Sequence, residues 1–426
     1  MPTSSKSALL SLSDYKTIFL SVLGGALEVY DFIIFVFLSV TIADVFFPPD
    51  VPEWLRMLQS LAIFSVGYLA RPLGGLLLAH YADRSGRKLM FNFTLLFMAI
   101  PCLCIGLLPG YAQIGYYAPL LLLLARLIQG AALGGEVPNA WVFVSEHVPP
   151  ERRGYALGLL QAGLTFGYLL AALTTALLTS LYSSAELRAW AWRIPFFIGG
   201  VFGFIAIGLR RWLRETPVFL ALRERQELAR KLPVAGIIRH HRASAIPSVV
   251  LTLILTSAVI TMVVVMPIAL QKLYGQDPAT TFRISCAAIL ALNIGCILAG
   301  RLSDRFGAWR TVALYSVLLA LGTTLLCASL SASLHLVLAS YMIACLFSGV
   351  IGAVPAVIVQ LFPTRWKVTG ISLTYNMTYS LGSSILPLLM LGLLQSSRWG
   401  MAILATAIGV LALLTIRVFR HVEMFP

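Results

Sequence analysis

Five ionisable side chains, Glu28, Asp31, Arg71, Arg126 and Glu136, stand inside long apolar runs. The stretch GYLARPLGGLLLAHYADRSGRKLM, Gly67 to Met90, isolates Arg71 and then crowds charge into Asp83-Arg84-Ser85-Gly86-Arg87-Lys88. At the centre of a bilayer a charge costs several kcal/mol, so such residues mark paths for substrates, ions or protons. Carboxyls can carry protons and guanidinium groups can hold carboxylates. Glu28 and Asp31 are i,i+3 neighbours on one helix face. Two acids that close do not both ionise comfortably unless a cation intervenes. Protonating one would therefore release an arginine to an anionic ligand. At a rise of about 1.5 Å per residue, Arg71 lies roughly 18 Å above Asp83 and Glu136 roughly 15 Å above Glu146. Counted from Thr17, Glu28 is about 16 Å up and Asp31 about 21 Å, so these four straddle the middle of a roughly 30 Å hydrocarbon core. Arg126 lies higher, toward the far end of its helix.

The elements that hold these groups follow from composition. The 426 residues are 59% apolar and 11% charged, where soluble domains carry about 25% charged residues. The mean hydropathy is +0.89. Twelve apolar runs fall near residues 17–43, 57–82, 89–109, 117–145, 155–181, 192–212, 245–270, 282–301, 310–330, 335–361, 368–393 and 397–418. In lipid the backbone must satisfy its own hydrogen bonds, so each run is expected to be a helix. The alternation of a membrane β-barrel is absent. The fold class expected is all-α and integral to the membrane.

The net charge of +14 reads as topology rather than nucleic-acid binding. With the N-terminus inside, 23 Lys or Arg fall in cytoplasmic loops and ends; six (Arg56, Arg188, Arg193, Lys272, Arg283 and Arg398) fall outside. The positive-inside rule then puts both termini in the cytoplasm. The first apolar run is too long for a signal-peptide core, so the first helix is expected to be retained. All six cysteines lie in apolar runs without zinc-type spacing or a disulfide framework, and the six histidines are scattered without ligand spacing. No metal and no cofactor are expected. GAALGG lacks the Lys-Ser/Thr ending of a phosphate loop and lies inside a span, so it reads as close helix packing. Gly163 and Gly167 form a GxxxG pair with the same reading. The absence of a catalytic constellation of His, Cys or Asp speaks against an enzyme.

One polar stretch, near residues 214–243, separates an N-terminal unit, 1–213, from a C-terminal unit, 244–426. The units echo each other. HYADRSGRK returns as RLSDRFGAWR, with Asp83-Arg84 matched by Asp304-Arg305, 221 residues on. EHVPPERRG returns as QLFPTRWKVTG, with Pro149 and Arg153 matched by Pro363 and Lys367, both 214 residues on. Two related six-helix units around a loop is a layout of secondary transporters, whose sites lie between the repeats near the midplane.

These motifs resemble the major facilitator superfamily, and within it the metabolite:proton symporter family. The resemblance rests on GALEVYDFIIFVF, GYLARPLGG…AHYADRSGRK, RLIQGAALGGEVPNAWVFVSEHVPPERRG, WRIPFFIGG, LRETPVF, LFPTRWKVTG and TYNMTYSLG, in that order over nearly the whole chain. Departures are Ala79 for a usual glycine, Gln360 for a frequent acid, Lys367 for a frequent arginine and Val29 for a usual aromatic. The resemblance implies a twelve-helix inner-membrane symporter, functional as a monomer. It would import a small carboxylate-bearing metabolite with a proton by rocking one half against the other. Arg71 and Arg126, with Gln129, Tyr375, Asn376 and Tyr379, would bind substrate. Glu28 or Asp31, with Glu136, would serve proton coupling, and Glu136 can alternatively pair with Arg71. Asp83, Arg84 and Arg87 would form a cytoplasmic gate with Glu146 and Arg153, repeated at Asp304 and Arg305. The alternative is a proton-coupled exporter of a drug, siderophore or metabolite. Against it, GYALGLLQAGLTFGYLLAAL in the fifth span has glycines but lacks the proline of exporter signatures. Carboxylates of one, two or three charges and zwitterions such as proline or betaine all remain open substrates.

Overall fold

The computed structural model describes residues 10–210 and 242–419 apart from 273, with six positions between 212 and 224. Most of the linker expected at 214–243, and the side chains of Asp83 and Arg87, lie outside the described residues. Among the described residues, twelve helices are long and apolar enough to cross a membrane. In chain order they are α1 (Leu12–Phe37), α2 (Glu53–Ala82), α3 (Lys88–Leu107), α4 (Tyr117–His147), α5 (Pro150–Leu181) and α6 (Ala191–Arg210). There follow α7 (Ala243–Gln271), α8 (Thr280–Phe306), α9 (Ala308–Ser329), α10 (Leu334–Ile358), α11 (Lys367–Leu394) and α12 (Gly400–Phe419). The expected spans and the helices coincide apart from their ends. The first helix starts earlier than expected because Ser11 and Asp14 form a reciprocal capping box.

Small residues set the distances between helices that carry the embedded charges. A Cβ on Gly130 of α4 would lie 1.8 Å from the Gly67 carbonyl oxygen of α2, and one on Gly134 would lie 2.1 Å from that of Arg71. GAALGG is thus a packing seam that brings α2 and α4 into backbone contact. Gly167 does the same for α5 against α1, its added Cβ falling 2.2 Å from the Ala26 carbonyl.

The repeated motif has a backbone counterpart. Gly86 and Gly307, each three residues beyond the repeated aspartate, have φ of 111° and 91°. Those values need glycine, so both copies end their helix by the same turn before α3 and α9.

The first six spans meet the last six chiefly along α5–α8 and α2–α11. At the end bearing the basic motifs, the Asp304 carboxylate accepts hydrogen bonds from the backbone N–H groups of Gly154 (2.7 Å) and Tyr155 (3.0 Å). An acid of α8 therefore caps the N-terminal turn of α5. Gly154, Gly158 and Gly300 let the two backbones touch there: a Cβ on Gly158 would lie 2.7 Å from the Cys296 carbonyl oxygen. Toward the opposite end, Phe37 of α1 meets Phe282 of α8 edge-on at 5.2 Å. On that same side Asp44 bridges Arg56 (3.3 Å) and Arg188 (3.2 Å), two of the cations assigned outside.

Candidate transport site

Between these closures a small cavity, about 40 Å³, is lined by α1, α2, α4, α5, α7 and α11. At about 10–15 Å³ for each water it has room for about three waters, so this is a contracted state. Among the described residues its lining contains one charged side chain, Arg71, and no acid. Tyr68, Tyr168, Tyr375 and Tyr379 provide rings and hydroxyls around that cation, and Gln161 and Thr165 add amide and hydroxyl groups.

Arg71 is held from α11. Its Nε donates to Asn376 Oδ1 at 3.0 Å, while its guanidinium lies 4.4 Å from the Tyr379 ring centre and 5.0 Å from that of Tyr375. Asn376 Nδ2 in turn donates to the Gly134 carbonyl oxygen of α4 at 2.7 Å. Ser380 Oγ donates to the Tyr68 carbonyl oxygen at 2.8 Å, a second bond joining α11 to α2. Arg71, Tyr375, Asn376 and Tyr379, chosen separately from the sequence, thus form one cluster across the interface between the two sets of helices.

The remaining embedded charges lie outside the central cavity. Arg126 does not line the central cavity. Its guanidinium packs over Phe35 (4.0 Å), Phe32 (5.6 Å) and Phe196 (6.0 Å), fully buried and with no hydrogen-bond partner among the described residues. Gln129 also points away from the cavity: its Nε2 donates to Asp31 Oδ2. Glu136 pairs not with Arg71 but with Arg210 of α6, and accepts a 2.5 Å hydrogen bond from Thr94 of α3. The reason is rotational. Depth along a helix follows from residue number, but the face a side chain presents depends on how neighbouring helices cross.

Glu28 and Asp31 share a second, narrower cavity of about 10 Å³ with Leu95, Met98, Ala99, Cys102 and Gly203. Cys102 Sγ donates to Asp31 Oδ1 at 2.6 Å and also contacts the Phe196 carbonyl oxygen at 3.1 Å. Glu28 is 1% exposed, and neither carboxyl oxygen has a hydrogen-bond partner among the described residues. The first six spans thus keep these acids apart from the cavity that the two sets of helices share.

At the basic end Arg84 and Arg305 are exposed, Glu146 and Arg153 are half-buried, and Asp304 makes the bonds to α5 described above. The part assigned to Asp83 and Arg87 falls on side chains outside the described ones. Sequence reasoning missed Arg210, counted among the loop cations although it lay inside the expected sixth span. A signal was present in Gly24: a Cβ there would fall 1.9 Å from Arg210 Nη2, so glycine makes room for the guanidinium. It also missed Tyr68 and Tyr168, whose ring positions carry no motif, and the thiol of Cys102, read only as packing. Among the described residues no group of His, Cys, Asp and Glu could hold a metal ion.

Comparison with known proteins agrees with this arrangement. The Major Facilitator Superfamily matches residues 29–387. The inner membrane metabolite transport protein YhjE of Escherichia coli K12 is 32% identical, over 87% of this chain and 86% of its own. The glycine betaine/proline/ectoine/pipecolic acid transporter OusA of Dickeya dadantii is 32% identical over 90% of this chain and 78% of its own. The proline/betaine transporter of Salmonella typhimurium matches at the same identity and the same shares. Among solved structures, the proton:xylose symporter XylE bound to 6-bromo-6-deoxy-D-glucose superposes with a TM-score of 0.79 at 17% identity, covering 96% of both chains. That likeness is one of fold. The chain is a secondary transporter, not an enzyme, and belongs to the Major Facilitator Superfamily, in the same family as these metabolite and proline/betaine transporters.

Proposed function

We propose that the chain is a proton-coupled importer of a small zwitterion or monocarboxylate in the inner membrane, with the basic face and both termini cytoplasmic. The observation that carries this reading is the cavity with Arg71 as the one charged residue among its described lining and aromatic rings from α1, α2, α5 and α11 among its walls. A single guanidinium suits one carboxylate, and the second and third carboxylates of a di- or tricarboxylate would find no further cation among the described lining residues. The tyrosine rings suit the cationic end of a zwitterion such as proline or a betaine, because ring faces attract ammonium groups. Relatives named for proline, betaine and ectoine support the same class.

Proton carriage belongs in this reading to the Glu28/Asp31 cavity. Asp31 accepts from Gln129 and Cys102, whereas Glu28 has no hydrogen-bond partner among the described residues. A buried carboxyl without a hydrogen-bond donor is accommodated as the neutral acid, which favours Glu28 as the group that holds the proton in this contracted state. The division at 1–213, 214–243 and 244–426 supplies the two rocking units, and a monomer is sufficient.

The test is uptake of radiolabelled proline and glycine betaine into proteoliposomes, with citrate and α-ketoglutarate as competitors, under an imposed proton gradient. The expected result is uptake of at least one zwitterion, abolished by a protonophore. Competition by the di- and tricarboxylates alone would overturn the substrate class. Uptake unaffected by the protonophore would overturn the coupling.

A further inference from the structure

Two cavities outside the transport site meet at one residue. The first, at the basic face, is lined by Leu10, Tyr15, Glu151, Arg152, Tyr155, Arg301, Asp304 and Arg305. It holds about 570 Å³. The second, about 520 Å³, is an almost wholly apolar groove running toward the membrane centre between α1, α5 and α8. Phe19, Val22, Leu159, Phe166 and Ile297 are among its walls, and Tyr15 lines both. Tyr15, Phe19 and Phe166 are exposed on the outer surface of the bundle.

We propose that these two cavities together form a binding site for an anionic phospholipid of the cytoplasmic leaflet, headgroup phosphate among the arginines and an acyl chain in the groove. The inference rests on the proposed orientation of the basic face.

The charge balance supports a phosphate. Arg152, Arg301 and Arg305 face Glu151 and Asp304, and the Asp304 carboxylate is occupied by the Gly154 and Tyr155 N–H groups. Arg301 and Arg305 are exposed and one helical turn apart, so both reach the same side of α8. Arg301 also lies 5.1 Å from the Tyr155 ring centre, which holds it over the cavity. A free anion would account for the first cavity but leave the apolar groove without an occupant. A phospholipid fills both, and one end apolar with the other wet is the environment tyrosine favours.

The position gives the site a consequence. Its walls come from α5 and α8, the helices whose contact through Asp304 closes the basic face. A lipid bound across them favours the closed arrangement, and by linkage the open one releases the lipid.

The experiment uses the purified full chain in detergent, with lipid adducts read by native mass spectrometry and stability by thermal shift. Neither readout requires transport, so failure here is distinguishable from failure of the transport reading; the proposed orientation is checked separately by labelling Cys residues introduced in the α2–α3 turn from one side of sealed vesicles. Phosphatidylglycerol should bind and stabilise; phosphatidylcholine, inorganic phosphate and glycerol 3-phosphate should not. Arg301→Gln/Arg305→Gln should weaken phosphatidylglycerol binding about thirtyfold, at roughly fivefold for each cationic side chain near an anionic surface. Phe19→Ser should weaken it through the tail alone. Arg310→Gln, an exposed cation outside both cavities, should bind like the parent. If the double variant does not fold, Arg301→Gln alone carries the test with a loss of about fivefold. Parent-like affinity in the arginine variants would overturn the site. Stabilisation by inorganic phosphate equal to that by phosphatidylglycerol would reduce it to a free-anion pocket and overturn the lipid.

Discussion

The Glu136–Arg210 pair offers the sharpest test of the embedded network. Both side chains are 0% exposed. Arg210 also reaches the carbonyl oxygens of Leu20 (3.4 Å) and Ser21 (3.3 Å), and Glu136 accepts from Thr94 at 2.5 Å. Removing one partner leaves the other charge buried without its ion-pair partner. Breaking a buried pair in this way typically costs about 3–5 kcal/mol, whereas replacing both partners with apolar or neutral groups of similar volume is often near neutral. Glu136→Gln and Arg210→Met should therefore each lower stability by about 3 kcal/mol or more, and the double variant should be no worse than either. The measurement is unfolding of the purified chain in mixed micelles by titrated denaturing detergent, followed by tryptophan fluorescence at one pH. Since neither residue lines the central cavity, folded variants should keep the parent's substrate affinity. A double variant that loses the sum of the two single losses would show no coupling. The two side chains would then not be partners, and the assignment of Glu136 would return to Arg71.

Arg71→Ala should lower substrate affinity by about tenfold to a hundredfold, the worth of one hydrogen-bonded contact to a charged group, and Arg71→Lys should recover little because the guanidinium fork is lost. Arg126→Ala should lower affinity less than Arg71→Ala in the same competition assay; the reverse ranking would move the site to Arg126. Asp304→Asn removes the charge from the acceptor of two α5 N–H groups, so buried Cys296, against Gly158 at the α5–α8 contact, should react with N-ethylmaleimide about tenfold faster. Peptide mass spectrometry resolves that cysteine from the others, and an unchanged rate would remove Asp304 from the closure. Gly154→Leu would bring a Cβ to 2.5 Å from Asp304 Oδ1; uptake should fail in a protein that still folds and inserts, and wild-type uptake would refute the close approach.

What could be read from the sequence, and what could not, divides along one physical line. The twelve helices were legible because lipid forces each apolar run to satisfy its own backbone, and the repeat because two Asp-Arg-x-Gly turns need glycine at the same offset. Position along a helix follows from counting residues, which puts Arg71 near the middle of its span and Arg126 further out. Azimuth does not. Whether an α4 side chain faces α11, α1 or α6 is decided by backbone contacts such as Gly130 against Gly67, and residue number carries no measure of that rotation. Hence Arg126, Gln129 and Glu136 are legible in the sequence as polar groups inside spans, while the side chains they meet are not. The outcome bears on coupling. Leu133 and Val137 of α4 line the central cavity, while Gln129 and Glu136 of the same helix bind Asp31 and Arg210 behind it. Asn376 of α11 bonds to the Gly134 carbonyl between them and to Arg71 beside it. A change in charge at Asp31 therefore acts on the helix that the substrate cavity rests against, and occupancy of the cavity acts on the same helix from the other side. In the proposed reading, the Glu28/Asp31 cavity and the Arg71 cavity can then communicate through α4, without proton and substrate ever touching.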